Sequence, residues 1–125
     1  MFEISIEHSF AAGHYLRNYE GKCARPHGHN YRVSATLQGD GLDKAGLLLD
    51  FQDLKKIIRH LIDKLDHQML NDVEPFTRIN PSAENLAKYF YDETQKELQS
   101  LTGDRVTVKE ITIWETANAA ARYSE

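Results

Sequence analysis

From Phe2 to Phe10 the chain alternates. Phe2, Ile4, Ile6 and Phe10 are apolar, and Glu3, Ser5, Glu7 and Ser9 between them are polar. A period of two belongs to a strand with one buried face, so this stretch predicts a first strand. Tyr31, Val33, Ala35 and Leu37 repeat the pattern and predict a second. Beyond a turn-rich joint from Gly39 to Gly46 the period changes: Leu54, Ile57, Ile58, Leu61, Ile62 and Leu65 recur on one helical face, with Asp50 placed as the cap. A second helix is expected to start at Pro81 and Ser82, with Ser82 as its cap. It should bury Leu86, Phe90, Leu98 and Leu101, and Gly103 should stop it. Arg105 to Glu115, rich in Val, Thr, Ile and Trp, predicts a third strand, and Ala119 to Tyr123 a short last one.

The order β-β-α-α-β-β predicts an α+β domain, a four-stranded antiparallel sheet with two helices on one face. Something else must then cover the other face, and an oligomer would supply that cover. Inside the third strand the apolar phase switches from even positions (Val106, Val108) to odd ones (Ile111, Ile113), which requires either a bulge near Lys109 or two covered faces.

Composition narrows the class. A chain of 125 residues, 41% hydrophobic and 27% charged, is expected to form one domain over 1–125, and no internal repeat or long linker divides it. The single cysteine, Cys23, excludes an intrachain disulfide. Because the alternating start of the chain resembles neither a signal peptide nor a spanning segment, a cytoplasmic protein is expected. A net charge of -4 without a basic run argues against nucleic acid or an anionic membrane as partner.

The chemistry concentrates around Cys23-Ala-Arg-Pro-His27-Gly-His29. Two histidines two apart on a strand point their rings to one face and can grip one metal ion. A hairpin would bring His14, at the end of the first strand, beside them. Three imidazoles with no fourth protein ligand suit a catalytic zinc, whose open position takes water or a substrate oxygen. Against this stands the plain reading of His-x-His as a surface feature.

Cys23 is either a proton acceptor beside the metal or a small buried apolar residue; Lys22 and Arg25 beside it argue against full burial. Asp66 and His67 can exchange a proton only if the first helix has ended by Asp66, because adjacent helical residues do not face each other. The alternative is a helix-terminal histidine held by the dipole. His8 and His60 read as structural. Glu115, after a long β-rich run, is either solvated or a carboxylate able to accept paired hydrogen bonds from an amino-pyrimidine edge.

Taken together, these residues resemble the family of 6-pyruvoyl- and 6-carboxy-tetrahydropterin synthases. The resemblance runs nearly end to end, through His14, Cys23, His27-Gly28-His29, Leu49-Asp50-Phe51, Leu65-Asp66-His67, Leu70-Asn71-Asp72, Asn80-Pro81, Glu84-Asn85-Leu86 and Glu115-Thr116. It implies the tunnelling fold and zinc on His14, His27 and His29. It further implies Cys23 as proton acceptor, Asp66 and His67 as its relay, and Glu115 with Thr116 at the pterin ring. Its implied assembly is a hexamer of two trimeric rings with sites at subunit interfaces, and its substrate is 7,8-dihydroneopterin triphosphate. In the pyruvoyl branch five residues separate the cysteine from His-Gly-His; in the carboxy branch, three. Here there are three, which points to the carboxy branch, a lyase feeding deazapurine (queuosine) precursors and releasing acetaldehyde and triphosphate. The rivals are the pyruvoyl reaction and a zinc- or pterin-binding protein without turnover.

Overall fold

The computed structural model describes residues 1–125. Its elements are β1 (Phe2–His14), β2 (His27–Gly39), α1 (Phe51–Asp63), α2 (Ala83–Thr102), β3 (Thr107–Thr116) and β4 (Ala119–Ser124). The strands form one antiparallel sheet in the order β1-β2-β3-β4. The expected β-β-α-α-β-β order and fold class are therefore what the chain adopts. Short 3-10 turns at Lys22–Ala24 and Leu70–Asp72 sit in the connections.

The alternation read from sequence sets which face is buried. Ile6, Phe10 and Ala12 of β1, Tyr31, Val33, Ala35 and Leu37 of β2, and Val108, Ile111 and Ile113 of β3 all turn to the helices. Leu54, Ile58 and Leu61 of α1 and Leu86, Phe90 and Leu98 of α2 close over them. Burying a side chain of this size contributes about 1.5–3 kcal/mol, so this layer is the main source of stability. Phe10 stacks on Tyr31 with ring centroids 5.0 Å apart.

Both helix caps form as expected. Asp50 accepts from the Gln52 N–H (2.8 Å) and Ser82 from the Asn85 N–H (3.1 Å). Gly103 ends α2 with a positive φ of 59°, which glycine adopts without steric cost. One expectation fails: Leu101 is 59% exposed. It lies in the last turn of α2, three residues past the buried Leu98, where the helix extends beyond the apolar layer.

The phase switch in β3 is a bulge. Leu37 pairs with Val108 and Thr36 with Glu110, leaving Lys109 as the extra residue. The apolar positions on both sides of it thus face the core. The opposite sheet face is polar and paired within itself: Ser5 and Thr36 share a hydroxyl hydrogen bond (2.8 Å), and Arg32 binds Glu7 and lies over Trp114 (4.6 Å). No helix is long and apolar enough to cross a membrane.

Candidate metal centre and the cavities beside it

The β1–β2 register carries the alternation past the core to the end of the hairpin. Phe10 pairs with Tyr31, Ala12 with His29 and His14 with His27, so the buried face that starts as hydrocarbon ends as imidazole. The strands run four residues further along the hairpin than the apolar alternation alone predicted, and those residues carry the three histidines. Ligand atoms of His14, His27 and His29 all lie within 4.8 Å of one another.

Two of the rings are fixed by main-chain carbonyls. His14 Nδ1 lies 2.7 Å from the Pro81 carbonyl oxygen, and His27 Nδ1 lies 2.7 Å from that of Arg25. A carbonyl only accepts, so each Nδ1 carries the ring proton and each Nε2 presents a lone pair. These Nε2 atoms are 3.0 Å apart. With both ring protons committed to carbonyls, neither neutral ring has a proton to offer across that gap. A cation between them would satisfy both lone pairs. The Nε2 of His29 is also buried and has no hydrogen-bond partner. Tetrahedral zinc–imidazole bonds of about 2.0–2.1 Å place ligand nitrogens roughly 3.3 Å apart, so the donor set fits that ion.

Electrostatics keep the rings available. Burial pushes the pKa of His14 down from 6.5 and outweighs the opposing pull of its Pro81 hydrogen bond and of Glu115. Burial does the same for His29, again against Glu115. The Glu115 carboxylate is 3.8 Å from His14 Nε2. Since burial wins, the contact at neutral pH joins a carboxylate to a neutral ring rather than forming an ion pair. The neutral ring is the form that binds metal. Burial and then Glu115 hold the Tyr31 phenol well above its ordinary value, so it stays protonated.

Asn71 and Asn80, which the family resemblance includes without giving them a role, hold the strand end. The Asn80 carboxamide accepts from Arg17 N–H and donates to Arg17 C=O, both at 2.9 Å. Asn71 does the same at Tyr15, both at 3.0 Å. Each amide stands in for a strand partner, and Asn80 places the following Pro81 carbonyl on His14. The available signal was the pairing of Asn with Pro just before a capped helix.

Two cavities flank the histidines. One is lined by His14, Cys23, Glu84 and Glu115, with Ala119–Ala121 of β4 along its wall. Cys23 is exposed, which removes the buried-core reading of it. The other cavity is lined by Ala11–Gly13, Gly28–Asn30 and His67–Met69. Here α1 has ended at Asp63, which meets the condition for an Asp66–His67 pair. His67 takes φ of 58°, and its Nδ1 lies 3.0 Å from the Asp66 carboxylate. Ala11 clamps both residues: its N–H donates to Asp66 (3.0 Å) and its carbonyl accepts from the His67 N–H (2.6 Å). That main-chain hydrogen bond, helped by His67, holds the Asp66 carboxyl below its ordinary range.

The structure thus brings His14, His27, His29, Cys23 and Glu115 into one neighbourhood. It places His67 in the lining of the other cavity, with the Asp66 carboxylate bonded to the His67 ring and to the Ala11 N–H. Thr116 is exposed, and its hydroxyl donates to the Asn118 side chain (3.1 Å), outside either lining.

This sheet, with two helices on one face and a three-histidine cluster at one end, defines a class. A family model described as 6-pyruvoyl tetrahydropterin synthase matches residues 3–125, and the chain belongs to that family. The 6-carboxy-5,6,7,8-tetrahydropterin synthase of Bacillus subtilis (strain 168) is 35% identical over 127 residues, covering 98% of this chain and 84% of that protein. The human 6-pyruvoyl tetrahydrobiopterin synthase is 36% identical over 110 residues, covering 77% of this chain and 76% of its own. The structure of Caenorhabditis elegans 6-pyruvoyl tetrahydropterin synthase, 29% identical, superposes with a TM-score of 0.80 over 100% of this chain and 97% of that one.

Proposed function

We propose that the protein is a zinc-dependent lyase that converts 7,8-dihydroneopterin triphosphate and water to 6-carboxy-5,6,7,8-tetrahydropterin, acetaldehyde and triphosphate. The observation that carries this reading is the pair of carbonyl-locked imidazoles whose Nε2 lone pairs meet at 3.0 Å beside a cavity that also holds Cys23 and Glu115. His14, His27 and His29 would hold zinc, which when bound supplies a Lewis acid for the oxygens of the substrate side chain. Glu115 accepts paired hydrogen bonds from the amino-pyrimidine edge of the pterin and fixes the ring. Cys23 then takes a proton from the side chain, whose reacting atoms lie between ring and metal. Asp66 orients the His67 ring, and this pair relays the proton.

Because Cys23 and His67 line different cavities of one chain, the relay reaches Cys23 when a second copy supplies its own Asp66–His67. A homo-oligomer, a hexamer of two trimers, with sites at subunit interfaces follows from this reading. The three-residue gap from Cys23 to His27 and the near-complete coverage by the Bacillus subtilis relative support the carboxy outcome. The pyruvoyl outcome is the second reading, supported by the human relative.

Mass spectrometry of the pterin formed from dihydroneopterin triphosphate, with trapping of the aldehyde, separates the two. We expect 6-carboxy-tetrahydropterin and acetaldehyde. A product that keeps all three side-chain carbons, with no acetaldehyde, would replace this reading with the pyruvoyl one.

A further inference from the structure

The turn that carries Cys23 also carries two cations, and they face away from the thiol. Three main-chain hydrogen bonds pin it: Leu16 N–H to Cys23 C=O (2.8 Å), Ala24 N–H to Gly21 C=O (3.2 Å) and Arg25 N–H to Lys22 C=O (3.0 Å). In a 3-10 turn, residues i and i+3 stand one above the other while the residue between them points elsewhere. Cys23 accordingly enters the cavity of His14 and Glu115, and Lys22 and Arg25 share a separate open depression with Gly21. Gly21, at φ 148°, makes the tight entry; a Cβ there would lie 2.8 Å from the Tyr19 ring.

What sets these two apart is their place, a shared depression on the turn that carries Cys23. Arg32, Arg78, Lys88, Lys96, Lys109 and Arg122 each meet a carboxylate. Lys22 and Arg25 meet none, as is also true of Arg17, Lys44, Lys55, Lys56, Arg59, Lys64 and Arg105, but only Lys22 and Arg25 flank Cys23 on one turn. Two neighbouring cations repel each other, so this turn gains when an anion bridges them. A guanidinium fork matches phosphate oxygens in pairs, and an ammonium adds a compact point charge.

We infer that Lys22 and Arg25 receive the polyphosphate tail of the substrate. The inference rests on the proposed function for the presence of that tail. Glu115 holds the ring end, the histidines and Cys23 take the reacting side chain, and the tail leaves past Cys23 onto the adjoining residues of the same turn. Arg25 has two separable duties: its carbonyl orients His27, and its side chain faces the depression.

Inorganic tripolyphosphate tests this without any pterin. Zinc-loaded protein is titrated by calorimetry at two salt concentrations, with zinc content measured before and after so that chelation is detected. Wild type should bind with an affinity that falls with salt. Lys22→Ala with Arg25→Ala should lose about tenfold or more while keeping its zinc, and Lys22→Arg should retain binding. With dihydroneopterin triphosphate, the double variant should show its loss in KM rather than in kcat. Equal tripolyphosphate affinity in wild type and double variant, or no binding by wild type, overturns the assignment. A pterin product other than the one proposed would instead overturn the proposed function and leave the tripolyphosphate comparison intact.

Discussion

The two ends of the same sheet face differ in what they do with identical alternation. At one end Val33, Ala35 and Leu37 pack beneath the helices in an all-hydrocarbon layer. At the other, His14, His27 and His29 occupy equivalent inward positions, and side chains and loops close the layer in place of helices. The hydrocarbon end is stable by itself. The imidazole end gathers lone pairs that a bound cation would satisfy, so an ion held there would add stability that the hydrocarbon end does not need.

Removing a ligand breaks the comparison most sharply. His29→Ala should lower zinc affinity by more than about a hundredfold, beyond what loss of a supporting hydrogen bond costs. The metal-free protein should stay folded, because the truncation also removes a buried nitrogen without a partner. Metal analysis together with thermal melts in chelator reads both effects; full zinc occupancy would remove His29 from the ligand set.

The converse change belongs at the hydrocarbon end. Leu37 is fully buried, and Leu37→Ala should cost about 2–5 kcal/mol in denaturant unfolding while the folded protein still binds zinc stoichiometrically. Loss of zinc in the folded variant would show that the two ends are not separable.

Between these lies Asn80→Ala. It frees the Arg17 main chain and the Pro81 carbonyl that orients His14. We expect about a ten- to hundredfold loss of zinc affinity with all three ligands still present.

The smallest effect is in pH. The folded-state pKa of Asp66 lies below 3.8, so its stabilising contribution is complete above 3.8 and is lost as pH falls through the folded value. Asp66→Asn should therefore flatten the acid limb of the stability curve, and an unchanged limb would mean that the Ala11 clamp contributes nothing.

The predicted elements were legible because they obey local rules: period two in the strands, one-faced helical spacing, Asp50 and Ser82 as caps, and a phase switch that the bulge at Lys109 explains. The clustering of the three histidines was legible too, since two-residue spacing and a hairpin suffice to bring them together. What sets their tautomers was not, because the clamps are carbonyl oxygens of Pro81 and Arg25, atoms that every residue possesses. The Asp66–His67 geometry escaped for a different reason: it needs a left-handed backbone at His67, where no glycine announces it, and that conformation is held by Ala11, 56 positions away in sequence from His67. Leu101 misled because helical phase says which side a residue is on and nothing about how far the opposing layer extends.

A clamp made of main-chain atoms has a consequence for divergence. The oxygen that steadies His27 comes with whatever amino acid occupies position 25, so the side chain there is released from any duty to the ring. Substitutions at that position can change the charge of the depression beside Cys23 while the three-histidine cluster keeps its shape. Descendants of one ancestor can thus differ in the charge of this turn around an unchanged histidine cluster.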